Sequence, residues 1–161
     1  MERVTRRLAF VTALILAYSH VAHDVAIGDH VIMANGVTLA GHVSIWDWAD
    51  ISAFTGVHQF CRIGRHAFVG PYSVVVQDVL PYSTTVGKRE IGVFGANRIG
   101  LERRGFDTPV IEALQTSFRL LTRAKLNTTQ AIERIRAEVP ACAEVEELLE
   151  FIRSSGRGVV K

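Results

Sequence analysis

Between Ser19 and His30 the chain reads SHVAHDVAIGDH, three histidines and two aspartates threaded through Val21, Val25 and Ile27. Downstream, Gly41 and His42 stand in LAGHVSI, and His58 and Gln59 in TGVHQFCRIG. A neutral imidazole can take the proton of a hydroxyl as that hydroxyl attacks a thioester, and histidine as a residue type titrates near neutrality, where such a step runs. A neighbouring carboxylate fixes the tautomer and supports the imidazolium that forms. A glycine lets its N–H approach the developing oxyanion, because no Cβ intervenes. These roles suit His23, Asp24 and Gly41, provided the fold brings them together. Imidazoles and a carboxylate also suit a metal ion, but no thiolate or second close carboxylate joins them, so no metal is expected. His30 and His66, each taken alone, read as solvated turn residues.

The elements that position these residues follow a period of six. Every sixth residue from Ile15 is apolar: Ile15, Val21, Ile27, Met33, Leu39, Ile45, Ile51, Val57, Ile63, Val69 and Val75. With about half of all residues apolar, chance produces such a run roughly once in two thousand trials. Two places before each, the column from Val25 to Ser73 is small or β-branched. Short straight segments that turn every six residues, always with an aliphatic residue inward, describe a parallel β-helix of hexapeptides. Helices of this type coil left-handedly, an exception to the right-handed crossover rule. Three segments close a triangular coil, and coils stack at about 4.8 Å. Residues 18 apart then share a corner, so that His23 stacks under Gly41, Gly41 under Gln59, and Asp24 under His42.

The register ends near Val79, and the rest reads as helices. Asp107 is a plausible N-cap before TPVIEALQTSFRLLTRA, a second helix follows in TTQAIERIRAEV before Pro140, and a third in AEVEELLEFIRSS before Gly156. The expected organisation is an atypical N-terminus over residues 1–12, a left-handed β-helix over 13–80, and a loop with a helical cap over 81–161.

Composition sets the outer bounds. A 161-residue chain with 48% hydrophobic and 21% charged residues folds, and a net charge of +2 is too small to argue for nucleic acid. Arg62, Arg65, Lys88, Arg89, Arg98, Arg103, Arg104, Arg119 and Arg123 nevertheless concentrate toward the cap, as a ridge that would steer acidic partners. Cys61 and Cys142 form no ligand-spaced pair and suit a reducing compartment. The basic start and the apolar run Leu8–Tyr18 imitate a secretory signal. No small-residue cleavage site follows, however, and the repeat runs on through Ile15, so the run is expected to be core. It is also too short to span a bilayer.

SHVAHD, LAGHVSI, TGVHQFCRIG, VVQDVLPY and above all NRIGLERRGF closely resemble the UDP-N-acetylglucosamine O-acyltransferases of lipid A synthesis, over about residues 13–161. The joint occurrence of GHV, HQF and GLERRGF separates that family from other hexapeptide acyltransferases. The resemblance implies a cytoplasmic homotrimer without a cofactor. It would move an (R)-3-hydroxyacyl group from acyl carrier protein to the 3-hydroxyl of UDP-N-acetylglucosamine, in a cleft between neighbouring β-helices. It makes His23 the general base, Asp24 its support and Gly41 the oxyanion donor. His20 and His42 help to hold the sugar nucleotide, and His58 and Gln59 contact substrate. Asn97 and Arg103 match positions that bind the acyl chain's polar groups, carrier or phosphate, with Arg104 the neighbouring basic candidate. Pro71 and Arg89 fall in the acyl-chain groove.

Two departures bear on this reading. Members of the family begin with several more coils, which complete the sugar-nucleotide site and much of the trimer contact, so the chain is expected to be a shortened, C-terminal portion. Its open first coil predicts poor solubility, with Leu8, Phe10 and Val11 as the available cover. Pro71 and Tyr72 stand where small residues often line the groove, which predicts a shorter acyl chain. The alternative from another class is a non-catalytic hexapeptide module that trimerises or binds acyl carrier protein. The paralogous N-acyltransferase is a third reading, against which GLERRGF argues.

Overall fold

The computed structural model describes residues 12–87 and 90–161. The chain winds into a left-handed parallel β-helix. One side of the triangle stacks β1 (Leu14–Ile15), β4 (Ile32–Met33), β7 (Asp50–Ile51) and β10 (Phe68–Val69). The second stacks β2 (His20–Val21), β5 (Thr38–Leu39), β8 (Gly56–Val57) and β11 (Val74–Val75), and the third β3 (Ala26–Ile27), β6 (Ser44–Ile45) and β9 (Arg62–Ile63). The register is the expected one, with Val21 opposite Leu39 and Ile27 opposite Ile45. Residues of the six-residue column from Met33 to Val75 are buried, and so are Val31, Val37, Val43, Ala49, Thr55, Cys61, Ala67 and Ser73.

Each corner turns on a left-handed residue. Tyr18, Asp24, His30, His42, Trp48, Phe54, Phe60, His66 and Tyr72 all have φ between 55° and 64°, and Gly36 has φ 69°. A side chain in this region costs about 1 kcal/mol or more per residue, offset here by the backbone ladder on either side. The corner residues consequently project outward in vertical columns.

The regular stack changes at Pro81. Ile63 pairs with Val79, two positions short of the register, which would have placed Pro81, without an N–H, in the ladder. The first side then continues past residue 80: β12 (Ser83–Val86) pairs parallel to β10 and antiparallel to β13 (Gly92–Ala96).

Four helices follow: α1 (Arg98–Arg103), α2 (Thr108–Thr122), α3 (Thr128–Glu138) and α4 (Ala143–Arg153). Asp107 is the N-cap of α2 but makes no side-chain cap bond there, whereas Asn127 and Gln130 close a full capping box on α3. The cap has its own core around Leu114, Phe118, Leu148 and Phe151, and Leu80 and Tyr82 join it to the β-helix. Asp78 ties the two together. Its carboxylate accepts from the Arg62 N–H, the Arg62 guanidinium and the Ser155 hydroxyl, each at 2.8 Å. At the other end, the inward-facing Ile15 and Val21 are exposed. The cover expected from Leu8, Phe10 and Val11 concerns residues 1–11, which lie outside the described residues.

Two expectations are corrected. His66 is not a solvated turn residue: it is 7% exposed, stacked between Trp48 and Tyr82 with Phe106 edge-on. Nor do Arg62 and Arg65 form part of a free basic ridge. Arg62 is committed to Asp78 and Arg65 to Asp47 and Glu147, because both guanidinia lie at the junction with the cap.

Candidate active site

The corner between the second and third sides carries His23, Asp24, Gly41 and His42, as the 18-residue spacing requires. His23 Nδ1 lies 2.9 Å from a carboxylate oxygen of Asp24, and His42 Nε2 lies 3.8 Å from the same oxygen. Asp24 itself is the left-handed corner residue, with φ 57°. The hydrogen bond from His23 and the positive potential of His42 hold the Asp24 carboxyl below the usual carboxylate range. His42 meets His23 edge-on, with ring centroids 5.0 Å apart, and stacks flat on Phe60 at 4.8 Å.

Gly41 is where the next coil crosses His23. A Cβ at this position would lie 2.7 Å from both Cε1 and Nε2 of the His23 ring. The flanking N–H groups are spent on the ladder, Ala40 to Val57 O at 3.0 Å and His42 to His23 O at 3.1 Å, whereas the Gly41 N–H takes no part in it. Among the described residues the Gly41 N–H is therefore left without a backbone acceptor, on the residue that adjoins the imidazole, and a donor so placed is available to an oxyanion. His20 projects from β2 on the adjoining side, and His58 and Gln59 lie exposed one coil above Gly41. The ligating atoms of His23, Asp24 and His42 lie within 4.8 Å of one another, close enough for a divalent ion as well as for proton transfer.

The second group of predicted residues lies elsewhere. Asn97, Arg103 and Arg104 line a groove of about 770 Å³ on the first side of the triangle, against Ile32, Asp50, Phe68 and Thr84. In a triangular section this side lies opposite the His23 corner, so one chain does not bring the two groups together. Asn97 is the N-cap of α1: its side chain accepts from the Gly100 N–H at 3.2 Å and donates to the His66 carbonyl at 3.0 Å, which anchors the helix that ends in Arg103 and is followed by Arg104 at its C-cap. Arg104 lies over the Trp48 ring at 5.4 Å, with Nη1 buried and without a hydrogen-bond partner among the described residues. Burial pushes the Arg104 guanidinium down and the Asp50 carboxyl up from their ordinary values, although each charge favours the other. Pro71 is an exposed turn residue outside this groove, and Arg89 lies outside the described residues.

Asp50, Trp48 and α1 itself escaped the sequence reading. Asp50 was legible in principle, as the one charged residue in the outward column Ile32, Asp50, Phe68. The helix was legible from Asn97, whose side chain caps the N–H three residues on.

Comparison with known proteins agrees with this architecture. Residues 78–160 match the family described as UDP N-acetylglucosamine O-acyltransferase, domain 2, and residues 12–41 match the bacterial transferase hexapeptide repeats. An acyl-[acyl-carrier-protein]--UDP-N-acetylglucosamine O-acyltransferase of Thiobacillus denitrificans is 40% identical over 147 residues, 91% of this chain and 57% of the relative. One from Aliivibrio salmonicida is 42% identical over 142 residues, 88% of this chain and 54% of the relative. The chain thus spans somewhat more than half the length of the curated relatives it matches. Among solved structures, a UDP-N-acetylglucosamine acyltransferase from Bacteroides fragilis superposes with a TM-score of 0.90 at 39% identity, over 92% of this chain and 58% of that one. The Acinetobacter baumannii structure gives 0.87 at 34%, over 93% and 58%.

Proposed function

The chain belongs to the UDP-N-acetylglucosamine O-acyltransferase family, and from that premise we propose that it transfers an (R)-3-hydroxyacyl group from acyl carrier protein to the 3-hydroxyl of UDP-N-acetylglucosamine, the first step of lipid A synthesis. The observation that carries the reading is the His23 ring, bonded to Asp24 at 2.9 Å and seated against Gly41. His23 Nε2 takes the proton of the sugar hydroxyl as its oxygen attacks the thioester carbonyl. Asp24, ionised and bonded to Nδ1, keeps Nε2 free to accept and stabilises the imidazolium. The Gly41 N–H bonds the tetrahedral oxyanion. Collapse breaks the carbon–sulfur bond, and the departing thiolate of the carrier takes the proton back from His23. The proton and the acyl group both balance without a metal or cofactor.

The groove with Arg103 and Arg104 supplies what the histidine corner lacks, cationic donors for pyrophosphate and for an acidic carrier. The two lie on opposed parts of the triangle, which supports a working form in which they meet between copies, a homotrimer whose cleft joins the corner of one β-helix to the groove of the next. His20, His42, His58 and Gln59 face the sugar nucleotide on the corner side. Among the described residues no helix is long and apolar enough to cross a membrane. Cys61 and Cys142 are both free thiols, in keeping with work in the cytoplasm.

The test is to incubate the purified chain with 3-hydroxyacyl carrier proteins of several lengths and UDP-N-acetylglucosamine, and to follow both the O3 ester and binding of the sugar nucleotide. Ester formation is expected, fastest with a shorter donor as Pro71 and Tyr72 predict. A chain that binds no sugar nucleotide and forms no ester would instead be a hexapeptide module without catalysis.

A further inference from the structure

The segment after α4 returns to the β-helix. Val160, 2% exposed, packs into the solenoid core; its N–H donates to the Asp78 carbonyl at 2.9 Å, and the Asp78 N–H donates to the Gly158 carbonyl at 3.0 Å. This return carries Arg157 from the cap to the edge of the candidate active site. The guanidinium donates to the Val76 carbonyl through Nε at 3.4 Å and through Nη2 at 3.3 Å, and Nη2 also lies 3.3 Å from Nδ1 of His58.

The same Nδ1 atom has a second neighbour, the Gln59 carbonyl oxygen at 3.2 Å. The two contacts require opposite protonation. A carbonyl only accepts, so bonding Gln59 needs a proton on Nδ1; a guanidinium only donates, so bonding Arg157 needs Nδ1 bare. A donor that carries full charge makes the stronger bond, and Arg157 is already held in place by Val76 and by the tail behind it.

We propose that Arg157 is a positioning residue that fixes His58 in the tautomer with its proton on Nε2, so that His58 offers the substrate a hydrogen-bond donor. The ligand atom this suits is an acceptor without a proton of its own, a carbonyl or phosphate oxygen. Without Arg157 the Gln59 carbonyl draws the proton to Nδ1, and His58 presents a lone pair to the same oxygen, which repels it. The assignment of His58 to substrate rests on the acyltransferase reading; the tautomer does not.

The experiment is long-range proton–nitrogen NMR of the full chain labelled with ¹⁵N-histidine, at a pH where imidazoles are neutral, with His58→Gln to assign the signal. In the unaltered protein His58 is expected with bare Nδ1 and protonated Nε2. Arg157→Leu is expected to move the proton to Nδ1, and Arg157→Lys, which keeps a cationic donor, to leave it on Nε2. In the transfer assay Arg157→Leu is expected to raise the KM for one of the two substrates about tenfold, the size of one hydrogen bond, with Lys restoring it. A proton found on Nδ1 in the unaltered protein, or no change in Arg157→Leu, overturns the proposal. Absence of transfer in the unaltered chain would count against the acyltransferase reading, while the spectra still decide the tautomer.

Discussion

The His23 ring lies edge-on against Gly41 of the next coil, with Cε1 and Nε2 at 2.7 Å from where a Cβ would stand. The position of the imidazole is therefore set by what the neighbouring coil leaves out. Gly41→Ala is expected to push the ring away and to lower kcat/KM at least about a hundredfold, since a shift of about 1 Å can cost that much. Thermal stability should change little by comparison. Near-normal turnover in the alanine variant would mean that the contact does not position the base.

The cluster of His23, Asp24 and His42 can attract zinc without needing it. Dialysis against a chelator is expected to leave transfer unchanged, and added zinc to inhibit it by occupying His23. His42→Ala should weaken that inhibition, because it removes one ligand. Loss of activity on chelation, restored by zinc, would replace the proton-transfer account with a metal-assisted one.

Burial, together with the positive charges of Arg104 and Arg65, pushes His66 down to about 4 from an ordinary value near 6.5. The unfolded chain therefore takes up this proton first as the pH falls. Stability should be lost between about pH 6.5 and pH 4 and no further below, by up to about 3 kcal/mol. His66→Phe, which keeps the stack on Trp48 and Tyr82, should remove this contribution. Parallel acid losses in the two proteins, measured by denaturant titration at pH 7 and pH 4.5, would refute the assignment.

Asp78 is 1% exposed and satisfies Arg62, Ser155 and the returning tail at once. Asp78→Ala strands a partly buried guanidinium and should cost about 3–5 kcal/mol, the range for breaking a buried pair from one side. Asp78→Asn, which keeps an acceptor, should cost less. Equal melting of the alanine variant and the unaltered protein would show that the junction is held by apolar packing alone.

The period of six made the β-helix legible down to its register, because every inward residue repeats and one shift of frame would expose them all. It made the corner legible too, since 18-residue spacing places Gly41 on His23 and His42 beside Asp24. His66 was misread because its burial comes from Phe106 and Tyr82, which lie outside the repeat. Arg62 and Arg65 looked like free charge for a similar reason: their partners Asp78 and Glu147 are distant in sequence and meet them only when the cap folds down. The opposition of the histidine corner and the arginine groove depends on which side of the triangle α1 packs against, and no local pattern carries that.

The most direct test of the central claim is the rate of acyl transfer to UDP-N-acetylglucosamine by the unaltered chain and by His23→Ala, with folding of the variant checked by its melting curve. A loss of more than about a hundredfold in kcat with the melting curve preserved is the predicted result for removal of a general base. Transfer by the variant at close to the unaltered rate would contradict it.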